Sequence, residues 1–523
     1  MESPESQHWK EAIQKELKGL MENKTWDIIP LSHLPHGANL MRCHMVFTVK
    51  RLSDGSIEKF KCRLVADGNT QRYGIDFNRI FSTVAKLSTL RLLLVIAAAH
   101  GYRLTSIDVR QAYLHADLRE DLYMQMPPSL PTTDSNGNKL IVKLKKSLYG
   151  LKQAGREWAD LLSSFLVSWG FRRSTIDICL YMYTKGDNLL YIVVWVDDCV
   201  IMDNSKSLRD TFVQDLGSRF PVEDKGDLEW ILQVQVKRDW HRRSISLSQE
   251  LYITDLLHRF SHLLPDGARR FDCPCDASVV LTAEQCPSLD SPEFEEMACY
   301  RETYMSLVGA YLWLANMTRF EIGFIAAQLA RFVSNPSRIH FKAALRVLIY
   351  LRTSKDRALV LAPAVDSSAA LRVFVDSNWG TRFSVSGAIF EYMGAVIHWF
   401  SKTQRSVSMS STEAEYFAAS VAVRDTIFLR DLLEDLGFVQ QHPTPIRSDN
   451  KGVSDLSYDP VAFKKTKHIL RAAEFLCDLV ARRKVQITWL SGVDNIADLL
   501  TKTVTVNVFR HLTNLVQRIH QIP

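Results

Sequence analysis

The sequence predicts an α+β chain that closes in a compact α/β layer domain, and three observations carry that expectation. Helical stripes and short strand-like runs alternate through about residue 245. From Tyr300 to Tyr350 the pattern is helical, with Leu307, Tyr311 and Leu314 on one stripe and Leu345, Leu348 and Leu351 on another. From Leu371 onward, strand-like runs alternate with long helices.

Taken in order, Trp9, Ile13, Leu17 and Leu20 recur at helical spacing across His8–Asn23 and predict an amphipathic helix. Met45–Arg51 and Glu58–Ala66 flank the turn Ser53-Asp54-Gly55-Ser56 and predict a hairpin. Leu87–His100 reads as an apolar helix, Arg103–Val109 as a strand that brings Asp108 to its end, and Trp158–Gly170 as a helix. Leu189–Met202 reads as a hairpin turning on Asp197 and Asp198. The small-residue run from Leu361, with its proline, predicts a linker. After it come the strand Leu371–Val375, the hairpin Ala388–Phe400 around Gly394, and the helix Thr412–Leu436 with Gly437 as its cap. The strand Pro445–Ser448, helix Lys467–Arg482, strand Val485–Trp489 and helix Ile496–Lys502 complete the layer. The expected divisions are 1–245, a mostly helical 246–362, 368–505 and a final helix 506–523.

With 523 residues and a hydrophobic fraction of 46%, the chain has material for several buried cores. Its net charge of +6 permits a polyanionic partner without demanding one. Nine cysteines without a CxxC pair exclude a zinc ribbon and point to a reducing, intracellular compartment. No apolar stretch is long enough for a membrane span, and the N-terminus MESPESQHWK lacks a signal-peptide core.

The chemistry lies in carboxylates. Two ionised carboxylates about 4 Å apart repel by roughly 4 kcal/mol at an effective dielectric near 20, so the half-buried pair Asp197 and Asp198 asks for a bridging cation. Hard oxygen donors suit Mg²⁺ or Mn²⁺. Asp108 can join the pair across a sheet, giving three donors for two ions, the arrangement used in nucleotidyl transfer. Taken alone, each acid also reads as a solvent-facing turn or strand-end group. A second set comprises Asp376 at the end of RVFVD, Glu413 and Glu415 in SSTEAEY, Asp449 at the end of IRSD, and Asp498 in NIADLLTK. These acids can converge on one sheet edge, although Ser410 with Glu413, or Thr412 with Glu415, also reads as a capping box.

The run KCRLVADGNTQRYGIDFNRIFSTVAKLSTLRLLLVIAAAHG, then SIDVRQAYLHADL, LYMQMPP, KSLYGLKQAGREW and WVDD, resembles the reverse transcriptase of copia-type retrotransposons over nearly the whole chain. The resemblance implies a fingers-palm-thumb polymerase over 1–245, a helical thumb or connection, and a ribonuclease H-like domain over 368–505. It implies metal ligation and catalysis by Asp108, Asp197 and Asp198, and by Asp376, Glu415, Asp449 and Asp498. Glu415 is preferred to Glu413 because Glu-Tyr-Phe-Ala-Ala matches the family's acid and apolar helix. Lys61, Arg63 and Gln153 fall at the incoming nucleotide, with Tyr113 as the gate against a ribose 2′-hydroxyl. Lys152, Trp195, Lys467 and His468 fall at the nucleic acid, with Trp195 at the primer end and KKTKH on phosphates. The implied partners are an RNA template, a DNA primer, RNA:DNA hybrid and deoxynucleoside triphosphates, with no membrane. Capsid and integrase would be supplied from elsewhere, in a cytoplasmic setting within virus-like particles. Trp195 where the family has tyrosine, Asp67 for lysine, Gly155 for proline, Gln233 for glycine and Asn378 for an acid keep open a second reading: a catalytically silent, nucleic-acid-binding remnant.

Overall fold

A computed structural model describes residues 5–51, 56–264, 267, 270–364, 370–379, 383–458 and 467–516. Two compact units emerge, Met1–Ala85 with Arg103–Asp227, and Lys86–Tyr102 with Leu228–Pro523. The expected division at residue 245 therefore differs from the observed one: helix Leu87–His100 and the strands after Leu228 belong with the second unit. The elements are mixed helix and sheet throughout, as an α+β fold requires.

The first unit holds the helix Ser6–Glu22, whose Ala12, Ile13 and Leu17 pack on Cys62. The hairpin Cys43–Arg51 with Ile57–Ala66 forms where expected, and its turn residues 52–55 lie outside the described set. A four-stranded sheet runs in the order Trp26–Pro30, Leu140–Lys146, Asp117–Gln125, Leu40–Met41. A six-stranded sheet runs Val222–Asp227, Arg103–Val109, Asp198–Asp203, Asn188–Trp195, Leu180–Lys185, Arg172–Arg173. The helix Ala154–Trp169 sets Trp158, Leu162 and Leu166 one turn apart and buries them against Ile107, Val109, Ile192, Cys199, Ile201 and Phe220. Each such side chain contributes about 1.5–3 kcal/mol when fully buried. The helix stops at Gly170, whose φ of 113° supplies the left-handed cap.

That packing decides where the acids point. Successive strand residues face opposite sides, so burying Ile107, Val109, Cys199 and Ile201 in one core sends Asp108 and Asp198 together to the other face.

In the second unit a sheet orders Trp230–Ile231, Val234–Asp239, Ser244–Ser248 and Leu359–Leu361. The helices Arg301–Met317, Gly323–Ala330 and Arg338–Thr353 follow the predicted stripes, with Leu307, Tyr311, Leu314, Leu348 and Leu351 buried. Of the predicted linker, residues 365–369 lie outside the described set. A five-stranded sheet then orders Ala395–Thr403, Val385–Tyr392, Leu371–Asn378, Thr444–Ser448 and Val485–Trp489. The first three are antiparallel, and the last two run parallel to Leu371–Asn378. Helix Ser411–Asp435 covers the sheet through Ala414, Ala418, Ala422 and Leu429. The predicted helix Ile496–Lys502 is a 3₁₀ turn over Ile496–Leu500, and helix Val506–Val516 follows it.

The hairpin between Ile231 and Val234 turns on Leu232 and Gln233, both left-handed, with φ of 48° and 61°. Such a turn favours glycine or asparagine. Gln233→Gly is therefore expected to stabilise the chain by up to about 1 kcal/mol, read as a rise in denaturation midpoint.

Candidate active sites

Asp108 and Asp198 are direct antiparallel partners. Trp195 pairs with Asp198, so the two-residue turn is Val196-Asp197, not the predicted Asp197-Asp198. Val196 has φ of 59°, a costly conformation for a β-branched residue, on the order of 1–3 kcal/mol. Two bonds hold the turn there: Trp158 Nε1 donates to the Val196 carbonyl at 2.5 Å, and the Val109 amide donates to the Asp197 carbonyl at 3.0 Å. Burial first, then the charges of Asp198 and Asp108, push the Asp197 carboxyl above its usual range. Lys225 Nζ bridges Asp108 Oδ2 at 3.3 Å and Asp198 Oδ1 at 3.2 Å. Burial opposes the lysine's charge, and the two acids outweigh it and raise its pKa.

The second centre is tighter. Asp376, Glu415 and Asp449 each offer an oxygen within 4.8 Å of the others, and among the described residues they form the one such group of three or more. Asp376 sits near the end of strand Leu371–Asn378, Asp449 just past strand Thr444–Ser448, and Glu415 inside helix Ser411–Asp435. Glu415 Oε1 accepts the Ser377 amide at 3.0 Å, while its buried Oε2 has no hydrogen-bond partner. Burial, then Asp376 and Asp449, push the Glu415 carboxyl up to about 10. Burial, then Asp376, raise Asp498 to about 7. Lys502 Nζ lies 2.9 Å from Asp498 Oδ1 and 3.5 Å from Asp376 Oδ2, and Thr501 Oγ1 donates to Asp376 Oδ2.

The capping question resolves between the two glutamates. Ser410 caps the helix by accepting the Glu413 amide at 3.1 Å, and Glu413 Oε2 accepts the Met409 amide at 2.8 Å. Glu415 is left to the acid cluster.

Both acid sets suit hard cations: Asp197 is repelled by its neighbours, and Glu415 Oε2 is a buried acceptor without a donor.

Residues 23–265 match the family model for reverse transcriptase (RNA-dependent DNA polymerase). The chain is 32% identical over 519 residues to the retrovirus-related Pol polyprotein from transposon TNT 1-94 of Nicotiana tabacum, covering 98% of this chain and 38% of that protein. It is 31% identical over 512 residues to the Pol polyprotein from transposon RE1 of Arabidopsis thaliana, covering 97% of this chain and 34% of that protein. Over nearly its whole length the chain is similar to copia-type retrotransposon Pol polyproteins. The chain spans a little over a third of the length of these relatives. Among solved structures, a foamy viral protease-reverse transcriptase in complex with RNA/DNA hybrid aligns with a TM-score of 0.48 at 12% identity, over 95% of this chain and 55% of that one.

The remaining predicted residues divide. Arg63 lies over the Tyr149 ring at 4.7 Å, and Tyr149 packs edge-on to Tyr113 at 4.9 Å. Tyr113 feels Asp197 and Arg63, so Arg63, Tyr113 and Asp197 share one neighbourhood. Lys61 stands two residues from Arg63 on the same strand and is half-buried. Gln153 is fully buried, accepting from Gln71 Nε2 and donating to the Asp76 carbonyl, each at 2.9 Å, so it braces the loop. Trp195 ends the strand Asn188–Trp195 and is buried at 5% exposure. Lys152 is half-buried, its ammonium on the Gln71 carbonyl at 3.2 Å and over the Phe77 ring. Gly150 is required by its own protein: φ is 92° and a Cβ would fall 2.1 Å from the Ala66 carbonyl oxygen. Lys467 and His468 begin helix Lys467–Ala481, and their side chains, with Lys464 and Lys465, lie outside the described set.

Sequence reasoning missed Lys225 and Lys502. The signal was present in each case: Lys225 sits between acids in EDKGD, and Lys502 follows Asp498 by four residues.

Proposed function

We propose that this chain carries two hydrolytic or transfer centres of one replication cycle: RNA-templated DNA synthesis at Asp108, Asp197 and Asp198, and cleavage of RNA in an RNA:DNA hybrid at Asp376, Glu415, Asp449 and Asp498. The supporting observation is convergence, in both units, of acids far apart in sequence: Asp198 opposite Asp108, and Asp376, Glu415 and Asp449 within 4.8 Å. Mg²⁺ or Mn²⁺ bound to these acids would activate the attacking oxygen and stabilise the leaving one.

In synthesis the primer 3′-hydroxyl attacks the α-phosphate of a deoxynucleoside triphosphate, forming the new ester bond as pyrophosphate leaves. Arg63, beside Tyr149 and in the field of Asp197, would meet the triphosphate, with Lys61 adding charge on the same strand. Tyr113, packed edge-on against Tyr149, would be the side chain that excludes a ribose 2′-hydroxyl. In cleavage water attacks a ribonucleotide phosphodiester and a 3′-oxygen leaves, with Glu415 and Asp449 charged once cations relieve their repulsion. An RNA template, a DNA primer, deoxynucleotides and the hybrid product are the corresponding partners. Among the described residues no helix is long and apolar enough to cross a membrane.

The test is primer extension on an RNA template together with release of labelled RNA from a preformed hybrid, with Mg²⁺ and with chelator. Metal-dependent extension and cleavage by the same chain support both centres. Tight hybrid binding without turnover in either assay overturns the reading in favour of a silent remnant.

A further inference from the structure

We propose that Lys502 is a positioning residue of the hybrid-cleaving centre: its ammonium occupies a cation place between Asp376 and Asp498, so the centre is assembled for one divalent ion, and a second enters only as Lys502 leaves. The inference rests on the hybrid-cleavage reading and adds an order of events to it.

The geometry divides the four acids. Asp376, Glu415 and Asp449 close to within 4.8 Å of one another, and the group does not extend to Asp498. Asp498 is instead tied to Lys502 Nζ at 2.9 Å, and the same nitrogen reaches Asp376 Oδ2 at 3.5 Å. Thr501 Oγ1 donates to that Asp376 oxygen as well, so one oxygen of Asp376 is committed to the lysine side. On the opposite side Glu415 Oε2 is buried and without a donor. One half of the cluster thus holds the Lys502 ammonium between Asp498 and Asp376, and the other holds a buried acceptor with no cation beside it.

Lys502 can leave. Its side chain is 39% exposed, against 2% for Asp376 and 12% for Asp498, so the ammonium can swing to water on its flexible stem while the acids stay. A divalent ion on the Asp498 side needs the same oxygens at about 2.0–2.2 Å and cannot coexist with an ammonium there. Even an ion confined to the Glu415 side feels a fixed positive charge across the shared Asp376.

The experiment counts Mn²⁺ by electron paramagnetic resonance of the free ion, in the full chain carrying Asp197→Asn and Asp198→Asn to silence the other centre. The parent is expected to bind one Mn²⁺ at this site. Lys502→Met should bind two, the first at least tenfold more tightly, while Lys502→Arg keeps the parent's behaviour. Lys502→Gln, which retains a donor toward Asp498 without the charge, gives the same readout should the methionine variant not fold. Unchanged or weaker Mn²⁺ binding in the uncharged variants overturns the proposal. A parent chain that binds no Mn²⁺ overturns the hybrid-cleavage reading along with it.

Discussion

Asp198→Asn is expected to lower primer extension on an RNA template by about a thousandfold or more while RNA release from a hybrid stays within about twofold. The substitution keeps the shape of the side chain and removes one charge from the pair Asp198 and Asp108. A bound cation supplies several kcal/mol of charge stabilisation to a phosphoryl transition state, and each 1.4 kcal/mol is tenfold in rate. Folding should be untouched, because the strand is held by Cys199, Val200, Ile201 and Met202, all buried, and its register does not involve the carboxylate. Lys225 loses one of its two acid partners, a half-exposed contact worth little. The measurement is steady-state extension and hybrid cleavage on one preparation, with a thermal melt as control. Extension within tenfold of the parent at an unchanged melting temperature would show that Asp198 does not hold the reacting metal.

Much of this architecture is legible because its elements are strongly periodic. Leu87–His100, Arg103–Val109 and Val485–Trp489 form with the predicted bounds, where apolar spacing alone settles the element. Turns were harder. WVDD reads as a turn on two acids, yet the structure turns one residue earlier on a strained valine, because the Trp158 indole and the Val109 amide hold its carbonyls from outside the segment. No local pattern carries that information. The acids themselves were found by type and position at element ends, and the choice between Glu413 and Glu415 follows from hydrogen bonds: one caps, the other faces Asp376 and Asp449. Buried polar side chains are harder to read. Gln153 sits in a loop expected to touch nucleotide, and the fold spends both ends of its amide on Gln71 and Asp76. Burial of a polar side chain with satisfied bonds leaves no trace in sequence.

The largest effect on stability is expected from pH and metal together. In the metal-free chain Glu415 rises from 4.5 to about 10, through burial and then Asp376 and Asp449, and Asp498 rises from 3.8 to about 7, through burial and then Asp376. An acid whose folded pKa exceeds its unfolded one keeps its proton in the fold after the unfolded chain has lost it. The folded state then binds more protons, and stability falls with rising pH. The stabilisation is complete below about pH 4 and is lost through pH 7 for Asp498 and pH 10 for Glu415. Within the window of a single proton each pH unit is worth at most about 1.4 kcal/mol, so between pH 5.5 and 8.5 Glu415 weakens the metal-free second unit by at most about 4 kcal/mol, and Asp498, whose window closes near pH 7, by about 2 kcal/mol more. Millimolar Mn²⁺ reverses the sign of the local problem, since it binds the ionised acids and displaces their protons. Its melting shift should therefore be small at pH 5.5 and several degrees at pH 8.5. Glu415→Gln, neutral at every pH, should flatten the metal-free slope and remove most of the Mn²⁺ shift at high pH. A Mn²⁺ shift independent of pH, or a metal-free slope above pH 7 that survives Glu415→Gln, would mean that the repulsion among Asp376, Glu415 and Asp449 is not what the cation relieves.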